Sequence, residues 1–174
     1  MQSVHCSLYQ VKRTASEDAL KHLILQKYDE LVSLVESCDD ESANAEPEAP
    51  ASNSVLQILV HCCGMMRRWS SSVNLGRVIP RDRDQEFEAN MSVTEVRTLA
   101  EHARSAFVGD VEATDMQSAP LQVPPGREHF WTATCEGVLL HVLEEISQHL
   151  GHAQITYDLL IHAKPELQPT AQSR

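Results

Sequence analysis

The residues best suited to chemistry lie late in the chain, where His141, Glu145, His149 and His152 follow one another at steps of four, four and three. Helical geometry of about 100° per residue places them within an arc of roughly 80°, one face of one helix. That arc borders the apolar sector of Val138, Val142, Leu143, Ile146, Leu150 and Ala153, so the polar groups are expected to face a protein interior. Burying them unpaired is costly. A divalent ion is the simplest partner, because it accepts neutral imidazole and carboxylate together, and a Glu and a His at i and i+4 reach one ion from one face. A third donor is His61, set among the apolar residues of VLQILVHCCGMM. Three protein ligands, His61, Glu145 and His149, leave coordination positions open, which marks a catalytic metal site. His141 and His152 then orient ligands or move protons, and His152 is also able to replace Glu145 or His149 as a ligand. Against this stands the plainer reading of His61 as a core histidine hydrogen-bonded to a carbonyl or carboxylate.

Other candidates are weaker. Arg81, Asp82, Arg83 and Asp84 alternate in sign, the pattern of a solvated and mutually paired loop, although Arg81 and Arg83 are also candidate contacts for a polar cosubstrate. Cys62 and Cys63 read as small hydrophobes, since an apolar helix raises a thiol's pKa. Met65, Met66 and Trp69 read as core. His5, His22, His102, His129 and His162 read as surface residues. The chain contains no Gly-rich phosphate loop, no GxSxG and no HExxH.

Helices must position these groups. Ser16 is a plausible N-cap for a first helix over about residues 17–38, carrying Leu20, Ile24, Tyr28, Leu31, Val35 and Cys38 on one stripe. The acidic stretch 39–53 contains Pro47 and Pro50 and reads as a solvated loop. A second helix begins at Asn53 or Ser54 and continues through Val73, apolar around most of its circumference. Ser92 and Glu95 form a capping box opening a third helix over 93–108, with Val96, Leu99, Ala100, Ala103 and Phe107 inward. Residues 109–127 hold Pro120, Pro124 and Pro125 and read as a long loop. The last helix spans 134–163 and is stopped by Lys164-Pro165. No segment alternates with the period of a half-buried strand. The expected fold is all-α, a four-helix bundle in a single domain over 1–174, with frayed ends at about 1–15 and 165–174.

Composition narrows the partners. The 174 residues carry a formal net charge of −11, which argues against phosphate backbones and anionic lipid surfaces, so neither nucleic acid nor membrane is an expected partner. No apolar run approaches the roughly 18 residues of a membrane span. The five cysteines form no CxxC pair and the start of the chain lacks an apolar leader, so a cytoplasmic protein with reduced thiols is expected.

The segments VLQILVHCCGMMRRW, RDRDQEF and FWTATCEGVLLHVLEEISQHLGHAQI resemble the DinB/YfiT-like metalloprotein superfamily, in particular its actinobacterial branch related to mycothiol-dependent enzymes. The resemblance covers about residues 17–162. It implies a helical bundle holding a divalent metal, zinc or nickel, through one residue of the second helix and two of the last; matched by position, these are His61, Glu145 and His149. Many relatives carry histidine where Glu145 stands, whereas the mycothiol-linked maleylpyruvate isomerase pattern has glutamate there. A homodimer is implied by family habit. The function implied is S-transfer, in which the ion binds the thiol of mycothiol or another low-molecular-weight thiol and lowers its pKa for attack on an electrophile. Two alternatives remain: a mycothiol-dependent isomerase, which requires arginines in the pocket for an anionic substrate, and a non-enzymatic, stress-induced or metal-storing bundle, in which His152 closes the ligand set.

Overall fold

The computed structural model describes residues 14–50 and 52–163. Its α-helices are α1 (Ala15–Glu36), α2 (Asp40–Asn44), α3 (Val55–Arg67), α4 (Arg83–Glu86), α5 (Val93–Ala113) and α6 (Cys135–Ala163); a π-helical segment, Arg68–Asn74, continues α3, and one 3-10 turn, Phe130–Ala133, precedes α6. There is no strand among the described residues. The expected frayed ends lie, but for residues 14 and 15, outside the described residues, as do His5 and the side chain of His162.

Each long helix begins where its sequence supplies a cap. Thr14, two residues earlier than expected, caps α1: its hydroxyl accepts from Glu17 N and the Glu17 carboxylate accepts from Thr14 N. Ser16 has no acidic or amide residue three positions into the helix, which is why Thr14 takes the role. Ser54 with Gln57 caps α3 in the same way, and Ser92 with Glu95 caps α5, as the sequence predicts. Thr134 accepts from Gly137 N at the start of α6.

The four long helices form the bundle. Helix α1 packs against α6, α3 and α5, and α3 packs against α5 and α6. Tyr28, Ile24 and Leu31 of α1, Leu56 and Leu59 of α3, Phe107 of α5 and Leu139 and Ile146 of α6 are fully buried in one continuous core. Helix α3 is buried around most of its surface, so a polar side chain on it sits deep. Tyr28 Oη donates to Ala100 O (2.9 Å), so the thiol of Cys63, 3.1 Å away, donates to Tyr28, pinning α1, α3 and α5 together.

Four further expectations change. The stretch 39–53 is not wholly loop: Asp39 caps the short α2, whose Ala43 enters the core. Helix α5 runs to Ala113, beyond Val108, because Asp110 and Val111 are buried against the bundle. Leu99, expected inward, is partly exposed. The alternating charges of 81–84 do not pair with one another. Asp82 instead caps α4 by accepting from Asp84 N and Gln85 N, which makes a short helix of part of the expected connection.

Candidate metal centre

Helix α3 carries His61 into the interior at 4% exposure, and α6 brings Glu145 and His149 to meet it. One ligand atom from each of the three lies within 4.8 Å of the others. His149 Nε2 and Glu145 Oε2 are 3.6 Å apart, near the separation of about 3.4 Å for two donors of one tetrahedral ion at about 2.1 Å from each. The His61 and His149 rings meet edge-on at 4.7 Å between centroids. Two imidazoles and a carboxylate form a donor set of the kind that zinc and nickel accept, so the residues present fit a divalent ion.

Behind His61 stands Glu86 at the end of α4, at 8% exposure. Its Oε2 lies 2.9 Å from His61 Nδ1. Arg81 donates Nε to Oε1 (2.6 Å) and Nη2 to Oε2 (2.7 Å) of the same carboxylate. Burial raises the pKa of Glu86, but the Arg81 and His61 contacts outweigh it and hold the carboxyl below its usual range. An ionised carboxylate only accepts, so Nδ1 of His61 carries the proton and Nε2 is left as the free donor atom. The ring is further fixed by stacking on Phe87 at 4.7 Å. This carboxylate partner is the one the plainer reading of His61 asked for; it occupies one ring nitrogen and leaves the other for Glu145 and His149.

Gly64 makes room for this arrangement. A Cβ there meets Glu86 Oε1 at 2.0 Å and Arg81 Nε at 3.1 Å, so only a glycine, one turn beyond His61, lets the ion pair press against α3.

Around the cluster is a cleft of about 620 Å³ lined by His61, Met65, Arg68, Trp69, Arg81, Arg83, Arg127, His141, Glu145 and His149. His149 foremost, with His141 and His61, holds the Glu145 carboxyl below its usual range against the opposing effect of burial. His141 Nε2 lies 3.6 Å from Glu145 Oε1, and its ring stacks on Trp131 at 3.9 Å, with Trp69 edge-on to both. His152 is exposed and is absent from this lining; it shares the helix face but lies a turn further along α6 than His149, beyond the cleft. Arg81 and Arg83 both reach the cleft, Arg81 paired to Glu86 and Arg83 resting on the Phe87 ring at 5.3 Å. Cys62 and Cys63 lie in the core; burial raises both thiols, Cys63 to about 12, so neither supplies a thiolate. Met66 is core, while Met65 and Trp69 are buried and also form cleft wall. His22, His102 and His129 are exposed.

Sequence reasoning missed Glu86, Gly64, Arg68, Arg127 and Trp131. Gly64 had a signal, a glycine inside a helix where alanine is favoured by about 1 kcal/mol. Glu86 stands in a charged run that singles out no one residue.

No curated protein and no solved structure matches the chain at a significant level. A family model described as mycothiol-S-transferase matches residues 19–160, a span that holds all four long bundle helices' packed parts and every residue of the cluster, and the chain accordingly belongs to the mycothiol-S-transferase family.

Proposed function

We propose that this protein is a divalent-metal-dependent S-transferase that joins mycothiol, or another low-molecular-weight thiol, to an electrophile in the cleft above His61, Glu145 and His149. The observation that carries the reading is the convergence of those three side chains, within 4.8 Å, from two helices of a mycothiol-S-transferase family bundle. Held by them, a divalent ion, zinc in the first place and nickel as the alternative, supplies the Lewis acidity that brings a thiol's pKa toward neutrality.

The chain's own residues do the rest. Glu86, locked by Arg81, fixes the tautomer and orientation of His61. Ionised Glu145 adds the negative charge that keeps a cation in place. His141, on the cleft wall beside Glu145, takes the thiol proton and passes it to solvent. Met65 and Trp69 give the electrophile an apolar wall. A C–S bond forms as the leaving group departs with the electron pair of the bond that breaks. A reducing compartment, the cytoplasm, is where such a thiol is available.

His152, exposed and outside the cleft, does not close the ligand set, which supports catalysis over metal storage. The isomerase reading keeps one observation in its favour, the guanidiniums of the cleft, and differs in its product: isomerisation returns the thiol, whereas S-transfer consumes it.

The test pairs elemental analysis with turnover. The parent protein is expected to hold about one zinc or nickel per chain and to conjugate mycothiol to monochlorobimane above background; His61→Ala is expected to lose both. Equal metal in parent and variant sinks the ligand assignment, and no turnover with mycothiol, glutathione or cysteine sinks the transferase.

A further inference from the structure

An acidic chain has placed an unusual share of its positive charge at one spot. Of 14 lysines and arginines in a molecule of net charge −11, four arginines line the single cleft that also holds the His61, Glu145 and His149 cluster. They come from three separate elements: Arg68 from the start of the π-helical segment, Arg81 and Arg83 from α4 and the approach to it, and Arg127 from the proline-containing loop.

Only Arg81 is neutralised there, by its paired contact with Glu86. Among the described residues, no carboxylate lies within ion-pair distance of Arg68, Arg83 or Arg127, although Asp and Glu number 25 in the chain. Elsewhere the arginines of the bundle are paired: Arg67 with Asp110, Arg97 with Glu36 and Glu101, Arg104 with Asp29. Arg83 is held over the cleft by the face of Phe87, a contact that positions the guanidinium without cancelling its charge. Crowding like charges beside a cation site costs electrostatic energy, so three unpaired guanidiniums at one cleft call for an anionic visitor. Arginine's planar fork fits a carboxylate through two parallel hydrogen bonds.

We propose that the acceptor bound in this cleft is a small electrophile bearing one or more carboxylate groups, clamped by Arg68, Arg83 and Arg127, with Arg81 reserved for positioning Glu86. Naming this ligand as the acceptor rests on the proposed S-transfer; the anion binding itself does not.

Both tryptophans of the chain report on the cleft, Trp69 from its wall and Trp131 from its stack on His141. The experiment titrates metal-free and zinc-loaded protein, without thiol, with para-nitrobenzoate and with its methyl ester, reading the quenching of tryptophan fluorescence. The acid is expected to bind at least about tenfold more tightly than the ester in both forms, and less tightly as salt is raised. The triple variant Arg68→Met, Arg83→Met, Arg127→Met is expected to lose that preference; Arg83 and Arg127 are exposed and all three are unpaired, so it is expected to fold, with circular dichroism as the check. Equal binding of acid and ester overturns the proposal, as does a preference that survives in the triple variant. A preference present only in the zinc-loaded form assigns the carboxylate to the ion and also overturns it. Inorganic phosphate that displaces para-nitrobenzoate at equal concentration replaces the carboxylate class by a phosphate-bearing one and overturns the class named. Acid preference without bimane turnover leaves the clamp and removes the transferase; turnover without acid preference does the reverse.

Discussion

Glu86 is the residue on which the proposed chemistry of His61 turns, and Gly64 is the residue that admits it. A histidine that donates its other ring N–H to a carboxylate is fixed in tautomer and made a better donor, an effect typically worth about 10- to 100-fold in metal affinity. Glu86→Gln is therefore expected to lower zinc affinity by about that factor, measured by chelator competition, while leaving the fold intact. Gly64→Ala offers a sharper test. Helix propensity alone favours alanine by about 1 kcal/mol, yet the added Cβ meets Glu86 Oε1 at 2.0 Å. The flexible end of Glu86 is what yields, so Gly64→Ala is expected to reduce zinc affinity as Glu86→Ala does. The double variant should lose no more than the larger single loss, because both act on one contact. Additive losses refute the link.

At the scale of elements, the cleft depends on how α3 passes into the π-helical segment that carries Arg68 and Trp69. Such widened turns are uncommon and recur near functional sites. Here the segment is tied to α5 by Asp110, buried and bonded to Arg67 and Ser70, with Arg77 at 3.6 Å. Removing the charge leaves Arg67 half of a broken pair in a largely buried setting, for which costs of about 3 kcal/mol are typical. For a chain of this length, Asp110→Asn is expected to lower Tm by roughly 6–12 °C, read by calorimetry. The cap variant Ser54→Ala, which costs α3 about 1 kcal/mol, provides the scale of an ordinary local loss. Equal effects of the two variants exclude Asp110 as the tie.

The whole molecule links α3 to α6 in two ways, through the apolar core and through the proposed shared ion. Anything that binds only the folded state stabilises it, by about 2.7 kcal/mol when free ligand stands at 100 times its Kd. Chelation is thus expected to lower the Tm of the zinc-loaded protein by roughly 5–10 °C. His61→Ala is expected to melt at one temperature with or without chelator. A chelator response that survives in the variant places the ion elsewhere. No helix of the described residues is long and apolar enough to cross a membrane, in keeping with the charge of the chain.

Periodicity is a local property, so the four long helices, the caps at Ser54 and Ser92, and the common face of His141, Glu145 and His149 were readable along the chain. So was the oddity of an imidazole within the apolar α3. Thr14 was readable too, through its capping box with Glu17, whereas Ser16, nearer the stripe, has only Ala19 three residues on. Contacts across connections were not. Glu86 reaches His61 over a separation of 25 residues, and Arg127 joins Arg68 and Arg83 only because the proline-containing loop returns to the cleft. Residue order alone thus determined which groups share a helix face, since a helix repeats every few residues. Which faces meet, and which charges go unpaired when they do, was decided by the path of the connecting segments, whose conformations no short-range pattern specifies.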